Sequence, residues 1–362
     1  MQKILFAVML AGAGSASSAY AQSNVTIYGI VDAAYVRESG GAGGTVNKLT
    51  SGAAAASRIG FRGTEDLGGG ITALFQLENG FRVDTGEVDV GGTIFNRQAF
   101  VGLRSAEAGT LTLGRQYTPW HQALTQIGDP FQTGTAGTSR NLFPDYGTNV
   151  RSSNTIMYTA PPYQGFTGDL AYSPGEQAGS NDAGRQFGAS IGYLSGPIAV
   201  RLAYNNRNFD VAPAPGVTPL NRGIATNTLL VASYDFTVAK VHFAWGRDRG
   251  FNSSQLGNTG NPFGGVPPTA STHATDLLLG VTAPAGPGTF LASIMRKNDR
   301  SAFNQDANSW GIGYLYPLSK RTNLYAAYGS IDNKNGAGYT VANNTEVGSG
   351  DRAFNLGVRH SF

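Results

Sequence analysis

The 362-residue chain has no cysteine, and only 14% of it is Asp, Glu, Lys or Arg. Without cysteine there is no disulfide framework and no thiolate metal site. Its 26 basic and 23 acidic side chains leave a formal charge of +3, too small and too evenly spread for a nucleic-acid partner. Past the first 21 residues no run of 18 apolar residues occurs, so no later segment is long and apolar enough to cross a bilayer as a helix. Histidine is scarce, with four in all. His121 and His273 fall in connections, His242 stands alone on one strand face and His360 on the opposite kind of face, which leaves no nucleophile, base and orienter for a hydrolase. No cofactor, metal or catalytic residue is expected. The glycine-rich stretch 40–44 lacks a Walker-type lysine and a following helix, and reads as an exposed loop tip.

Glycine, at 51 residues, and the 35 tyrosines and phenylalanines are abundant instead. Residues 1–21 have the form of an export signal: Lys3 at the positive end, an apolar stretch over 4–13, and the small-x-small site Ala19-Tyr20-Ala21, so the mature domain is expected to span 22–362. From Val25 onward, segments of about ten residues alternate polar and apolar with period two. Val241, Phe243 and Trp245 alternate with Lys240, His242 and Ala244. Trp310, Ile312, Tyr314 and Tyr316 alternate with Gly311, Gly313 and Leu315, and Ile198, Val200, Leu202 and Tyr204 with Ala199, Arg201 and Ala203. In 353–362 the apolar set is Phe354, Leu356, Val358, His360 and Phe362.

The connections are alternately short (66–69, 105–108, 161–165) and long (37–56, 82–93, 118–149). An exported chain with many such ribbons and no spanning helix crosses a membrane in one way, as a closed barrel that satisfies every backbone group. The expected fold is all-β: a transmembrane antiparallel barrel of sixteen strands, with short periplasmic turns and long extracellular loops. A soluble sandwich or propeller also has short alternating strands, but would not carry a continuous outward aromatic and aliphatic band.

Five stretches in order resemble the general porins of Gram-negative outer membranes, especially the betaproteobacterial and neisserial type. They are 25–32 (VTIYGIVD), 57–68 (SRIGFRGTEDLG), 95–103 (FNRQAFVGL), 113–116 (LGRQ) and 357–362 (GVRHSF). The resemblance implies an outer-membrane, homotrimeric diffusion channel for small hydrophilic solutes and inorganic ions, with an inward-folded third loop. It also implies outer-membrane lipids, lipopolysaccharide and the assembly machinery as partners, and Phe362 as the assembly signal. Histidine at 360 departs from the tyrosine many relatives carry. The acidic second loop (Asp84, Glu87, Asp89) is a candidate clasp onto a neighbouring subunit.

A barrel of this size is too wide for side chains to fill, so its narrowest section decides what passes. The resemblance gives Arg58, Arg115 and Arg151 as the basic wall of that section, with Arg97 a fourth member. Period two puts Arg58 on the lumen face, but Arg97 shares parity with Ala99 and Val101, and Arg115 with Leu111 and Leu113. Asp129 and Asp145 of the third loop, which also holds Arg140, are the candidate opposing carboxylates, making a transverse field and a mild anion preference. The competing readings are wall-stabilising ion pairs for the arginines and loop-capping roles for the two aspartates. A solute-specific channel or adhesin and, at a greater distance, an outer-membrane hydrolase are the alternatives in function.

Overall fold

The computed structural model describes residues 24–41, 44–145, 149–254, 271–341 and 350–362. The expected export signal at 1–21 and the loop-tip residues 42 and 43 lie outside the described residues. Among the described residues seventeen strands form one antiparallel sheet. They are β1 Asn24–Gly41, β2 Gly44–Ser51, β3 Arg58–Gly68, β4 Ile71–Gly80, β5 Gln98–Ser105, β6 Gly109–Tyr117, β7 Arg151–Thr159, β8 Phe166–Ser173 and β9 Gln186–Ser195. The second half comprises β10 Ile198–Asn208, β11 Ile224–Asp235, β12 Lys240–Ser254, β13 Ser271–Ala285, β14 Gly288–Asp299, β15 Ala307–Pro317, β16 Thr322–Asn333 and β17 Arg352–Ser361. β2 and β3 pair with successive halves of the same edge of β1, so they are one interrupted stave and the barrel has sixteen.

Closure comes from β1 pairing with β17, Ile30 opposite Ser361 through Ser39 opposite Arg352. Phe362 extends the seam by exchanging both backbone hydrogen bonds with Gly29, each 3.1 Å. β2, which lies beyond the lipid, pairs with β1 alone; the other strands find partners on both sides, as hydrocarbon demands. The alternation sorts the faces: in β17 Leu356 and Val358 are exposed outward while Ala353 and Asn355 are buried inward.

The first long connection differs from expectation. Strand pairing continues through most of 37–56, up to Gly41 opposite Gly44. There the outward residues are Tyr35, Arg37, Asn47 and Leu49, so the mixed polarity hides the strand from an apolar-pattern reading. Lys48 and Glu38 pair at 3.1 Å on the inner side.

The third loop, residues 118–150 between β6 and β7, folds into the barrel. Thr118 caps a short helix, α1 (Pro119–Ala123), by accepting from the His121 amide at 3.1 Å, with Pro119 in the first turn. A wide turn, Leu124–Gly128, and a 3₁₀ turn, Ser139–Asn141, follow. Trp120, Leu124 and Phe143 are fully buried, so the hydrophobic core lies between loop and wall. On the wall, glycines make room. A Cβ on Gly280 would stand 2.6 Å from Pro130, and one on Gly311 or Gly329 would overlap the backbone of Gly137 or Ala136. Gly311 lies on the face opposite Trp310 and Ile312, and the loop backbone occupies the space its missing side chain leaves.

Polar ties complete the attachment. His242 Nδ1 meets the Ile127 carbonyl at 2.8 Å, and Ser293 Oγ donates to the Gly137 carbonyl at 2.6 Å. Lys297, fully buried, donates to the Leu142 carbonyl at 3.0 Å and pairs with Asp276 at 2.7 Å and Asp248 at 3.5 Å. At the far tip the Thr135 amide donates to the Ala53 carbonyl, 2.5 Å away, in the gap between β2 and β3. The loop thus lies along β8–β16, with Pro119 close against Gly188 of β9, and leaves β3–β7 facing it across the lumen.

Candidate pore constriction

The lumen face of β3–β7 is built by cross-strand rows. Tyr28, Gly60, Glu78 and Gln98 are successive neighbours across β1, β3, β4 and β5, and Arg58 lies beside Gly80 one step along. Glu78 gathers the row. Arg97 Nε donates to its Oε1 at 2.7 Å, Arg58 Nε approaches its Oε2 at 3.8 Å, and Tyr28 donates a hydrogen bond of 3.0 Å. Arg97 then reaches the Tyr117 hydroxyl at 2.5 Å, and Arg151 donates to that oxygen at 3.2 Å with its guanidinium 4.8 Å from the ring centre. Arg62 lies over the Tyr28 ring at 5.1 Å and extends the row downward. The result is a continuous line, Arg62, Tyr28, Arg58, Glu78, Arg97, Tyr117 and Arg151.

Aromatic faces and one carboxylate separate the cations, which lowers their mutual repulsion without neutralising the line. Arg58 keeps 22% of its side-chain surface exposed to the lumen, whereas Arg97 keeps 6%. Arg58 therefore presents its charge to passing water, and Arg97 acts chiefly through its hold on Glu78 and Tyr117.

The third loop joins the line through His121, whose ring stacks on Tyr117 at 4.8 Å. His121 Nδ1 lies 2.6 Å from Asp145 Oδ1, and Arg140 Nε 3.9 Å from the other oxygen. Burial pushes the Asp145 carboxyl up, but His121, Arg140 and Arg151 outweigh it and hold the group below the usual carboxylate range. Arg140, with 44% of its side chain exposed, is the part of this cluster that meets the lumen.

Of the sequence-derived candidates, Arg58, Arg97 and Arg151 are brought into one network; Asp145 adjoins it through His121 but, at 1% exposed, does not itself face the lumen as expected. Arg97 precedes the first ladder residue of β5, so the parity argued from Ala99 and Val101 does not govern it. Arg115 stands apart. It shares a cross-strand row with Ala99 and donates to the Asn96 carbonyl at 2.7 Å and Ser153 Oγ at 2.8 Å, next to the irregular register between Gly114 and Gln116.

Asp129 requires a correction, for it does not face the lumen. It is 2% exposed and accepts from the amides of Phe131, Thr133 and Ser139 and the hydroxyls of Thr138 and Ser139, at 2.7 to 3.2 Å. Those bonds brace a tight turn in which Gln132, Thr133 and Thr135 take positive φ, costly for β-branched residues. Burial pushes its carboxyl above the usual range despite the five donors. The sequence reading missed Glu78, Tyr117 and His121. Glu78 was within reach, since it shares with Gln76 and Leu74 the face of β4 that continues the row of Gly60 and Tyr28.

The family model for Gram-negative porins matches residues 7–336. An outer membrane porin protein of Bordetella pertussis is 32% identical, with all of both chains covered, and outer membrane porin protein 32 of Delftia acidovorans is likewise 32% identical over the whole of both. Among solved structures, the anion-selective porin from Comamonas acidovorans superposes with a TM-score of 0.74 at 27% identity, covering 94% of this chain and all of that one. A sealed sixteen-stave barrel with a loop folded into its lumen, and matches that run from end to end, mean that the chain belongs to the Gram-negative porin family of the outer membrane.

Proposed function

We propose that the protein is a general diffusion channel that passes small hydrophilic solutes and favours anions, with its selectivity set where Arg58, Arg97 and Arg151 face the third loop. The supporting observation is the unbroken line through Glu78 and Tyr117, lying opposite the loop. Within it and the adjoining loop, five guanidinium groups (Arg58, Arg62, Arg97, Arg140, Arg151) accompany two carboxylates, Glu78 and Asp145. Guanidinium stays charged at every relevant pH, so the preference persists across ordinary conditions. In water about 8 Å from the wall, a distance close to the Debye length at physiological salt, such an excess is felt by a passing ion. Arg115 flanks the line, and Asp129 serves the loop rather than the field. The Comamonas porin, whose title calls it anion-selective, agrees with this reading.

The test replaces Arg58 and Arg151 with alanine and records reversal potential across a planar bilayer in a salt gradient. The anion-to-cation ratio is expected to fall, and an unchanged ratio ends the assignment. The same reading makes the barrel a channel and not an enzyme.

Three further roles belong with this reading. Residues 1–21 serve as the export signal. Phe362, joined to Gly29 at the seam, is the residue the assembly machinery reads. A homotrimer accounts for the second loop, where Val88, Val90 and Ile94 are exposed beside Asp84, Glu87 and Asp89 and a second copy would cover them.

A further inference from the structure

The stave made by β2 and β3 is interrupted at residues 52–57, Gly-Ala-Ala-Ala-Ala-Ser, and the interruption turns inward. Ala53 packs with Ala34, Val36 and Tyr325, which share the lumen face of β1 and β16. The chain doubles back tightly there. Gly52 takes a φ of +71°, and a Cβ on it would stand 2.9 Å from the Cα of Ala56.

Asp32, fully buried, holds this strap. Its backbone carbonyl accepts from the Gly52 amide at 2.9 Å and from Ser57 Oγ at 3.1 Å, so it ties both ends. Its carboxylate accepts from the Ala55 amide at 3.1 Å and from the Tyr325 hydroxyl at 2.6 Å. Tyr325 reaches it by lying across β17, where a Cβ on Gly357 would stand 2.4 Å from the ring. A buried carboxylate stripped of water depends on such donors, and the donors in turn are fixed by it.

The strap also meets the tip of the third loop. The Thr135 amide donates to the Ala53 carbonyl, and a Cβ on Gly134 would stand 2.0 Å from the Ala54 carbonyl oxygen, while Ala136 and Gly137 press on Gly329 and Gly311. The tip is thus caught between the strap and β15–β16. At its other end the strap runs directly into Arg58, the member of the arginine line that meets the lumen. The lumen at this level has three sides: the arginine line on β3–β7, the third loop along β8–β16, and the strap over β1 and β17. Ala54, Ala55 and Ala56 are each partly exposed, so this third side carries methyl groups and no charge.

We propose that residues 52–57 are part of the constriction, that their alanines limit the size of the solutes that pass, and that Asp32 is the residue that positions them. The strap has this role only if the protein is a channel, but independently of the ion preference: the arginines act through charge, and the strap through width.

The test follows osmotic swelling of liposomes that hold the refolded full chain, with arabinose, sucrose and raffinose as uncharged probes of increasing size, and records reversal potential in a salt gradient alongside. Ala55→Leu adds a branched side chain to the strap and should lower the flux of sucrose and raffinose relative to arabinose. Asp32→Ala releases the strap and should raise the same ratio. Tyr325→Phe removes one hydroxyl and keeps the ring; it should raise the ratio less, with the anion-to-cation ratio at the parent value, and it serves if Asp32→Ala does not fold. General loosening of the barrel would not move the sugar ratio in opposite directions. An unchanged sugar ratio in Ala55→Leu, or shifts of the same sign in Ala55→Leu and in the releasing variant, overturns the proposal. A parent protein that admits neither sugar nor ion ends the channel reading, and the strap's role with it.

Discussion

Replacing Glu78 with glutamine removes one negative charge from the arginine line while keeping its shape. The amide oxygen still accepts from Arg97 Nε, now 2.7 Å from the carboxylate, and the amide nitrogen can donate to the Tyr28 hydroxyl, now 3.0 Å away. An ion passing roughly 8 Å from that carboxylate interacts with it by about 0.5 kcal/mol in unscreened water. Salt cuts this to about 0.2 kcal/mol at about 0.1 M and to about 0.4 kcal/mol at about 0.01 M. The charge repels anions and attracts cations, so its loss acts twice on their ratio. Anion-to-cation permeability should rise about twofold at about 0.1 M potassium chloride and about fourfold at about 0.01 M. Reversal potentials in a planar bilayer at the two concentrations measure it, with far-ultraviolet circular dichroism confirming the barrel. A ratio that stays put, falls, or rises equally at both concentrations refutes the argument.

Asp129→Ala leaves five donors without their acceptor and should lower the unfolding temperature in detergent, at a cost of about 3 kcal/mol, whereas Asp129→Asn should leave ion selectivity unaltered because the side chain does not meet the lumen. For Asp145, the folded pKa lies below the ordinary value of 3.8, so its stabilising contribution is complete above that value and is lost as pH falls through the lower one. Acid-induced loosening of the third loop, seen as excess current noise, should therefore appear below about pH 4 and vanish in Asp145→Asn. Asp129 has the opposite sign: its pKa is raised, so its contribution weakens as pH rises through the window above 3.8, and acid does not release the turn it braces. Gly311→Ala puts a methyl group into the Gly137 backbone, presses the loop toward the arginine line and should reduce single-channel conductance.

Much of this architecture could be read from pattern. The alternation of Val241 to Trp245, and of Trp310 to Tyr316, sorts faces correctly because each of those strands has lipid on one side and loop or water on the other. The hairpin above Tyr35 was illegible for the same reason: beyond the lipid, nothing requires its outer face to be apolar. Arg58 followed from parity, but Arg97 lies just outside its strand and Arg115 beside an irregular register, so neither obeys the count. The irregular backbone of the third loop has no period at all. Nothing local marks an aspartate that turns inward, as Asp129 does to collect amides and Asp145 does to pair with His121.

The seam between β1 and β17 has a consequence for how the barrel comes into being. The residues that meet there are more than 300 positions apart in the chain, whereas most other neighbouring strands are joined by hairpins. Local pairs can zip early, but the sheet they make is an open ribbon with two unsatisfied margins, which oil does not tolerate and which invite pairing with foreign strands. Closure is consequently the slow, concluding event of maturation. Until it happens, the two margins of the sheet stay open, and only the finished ring suits hydrocarbon.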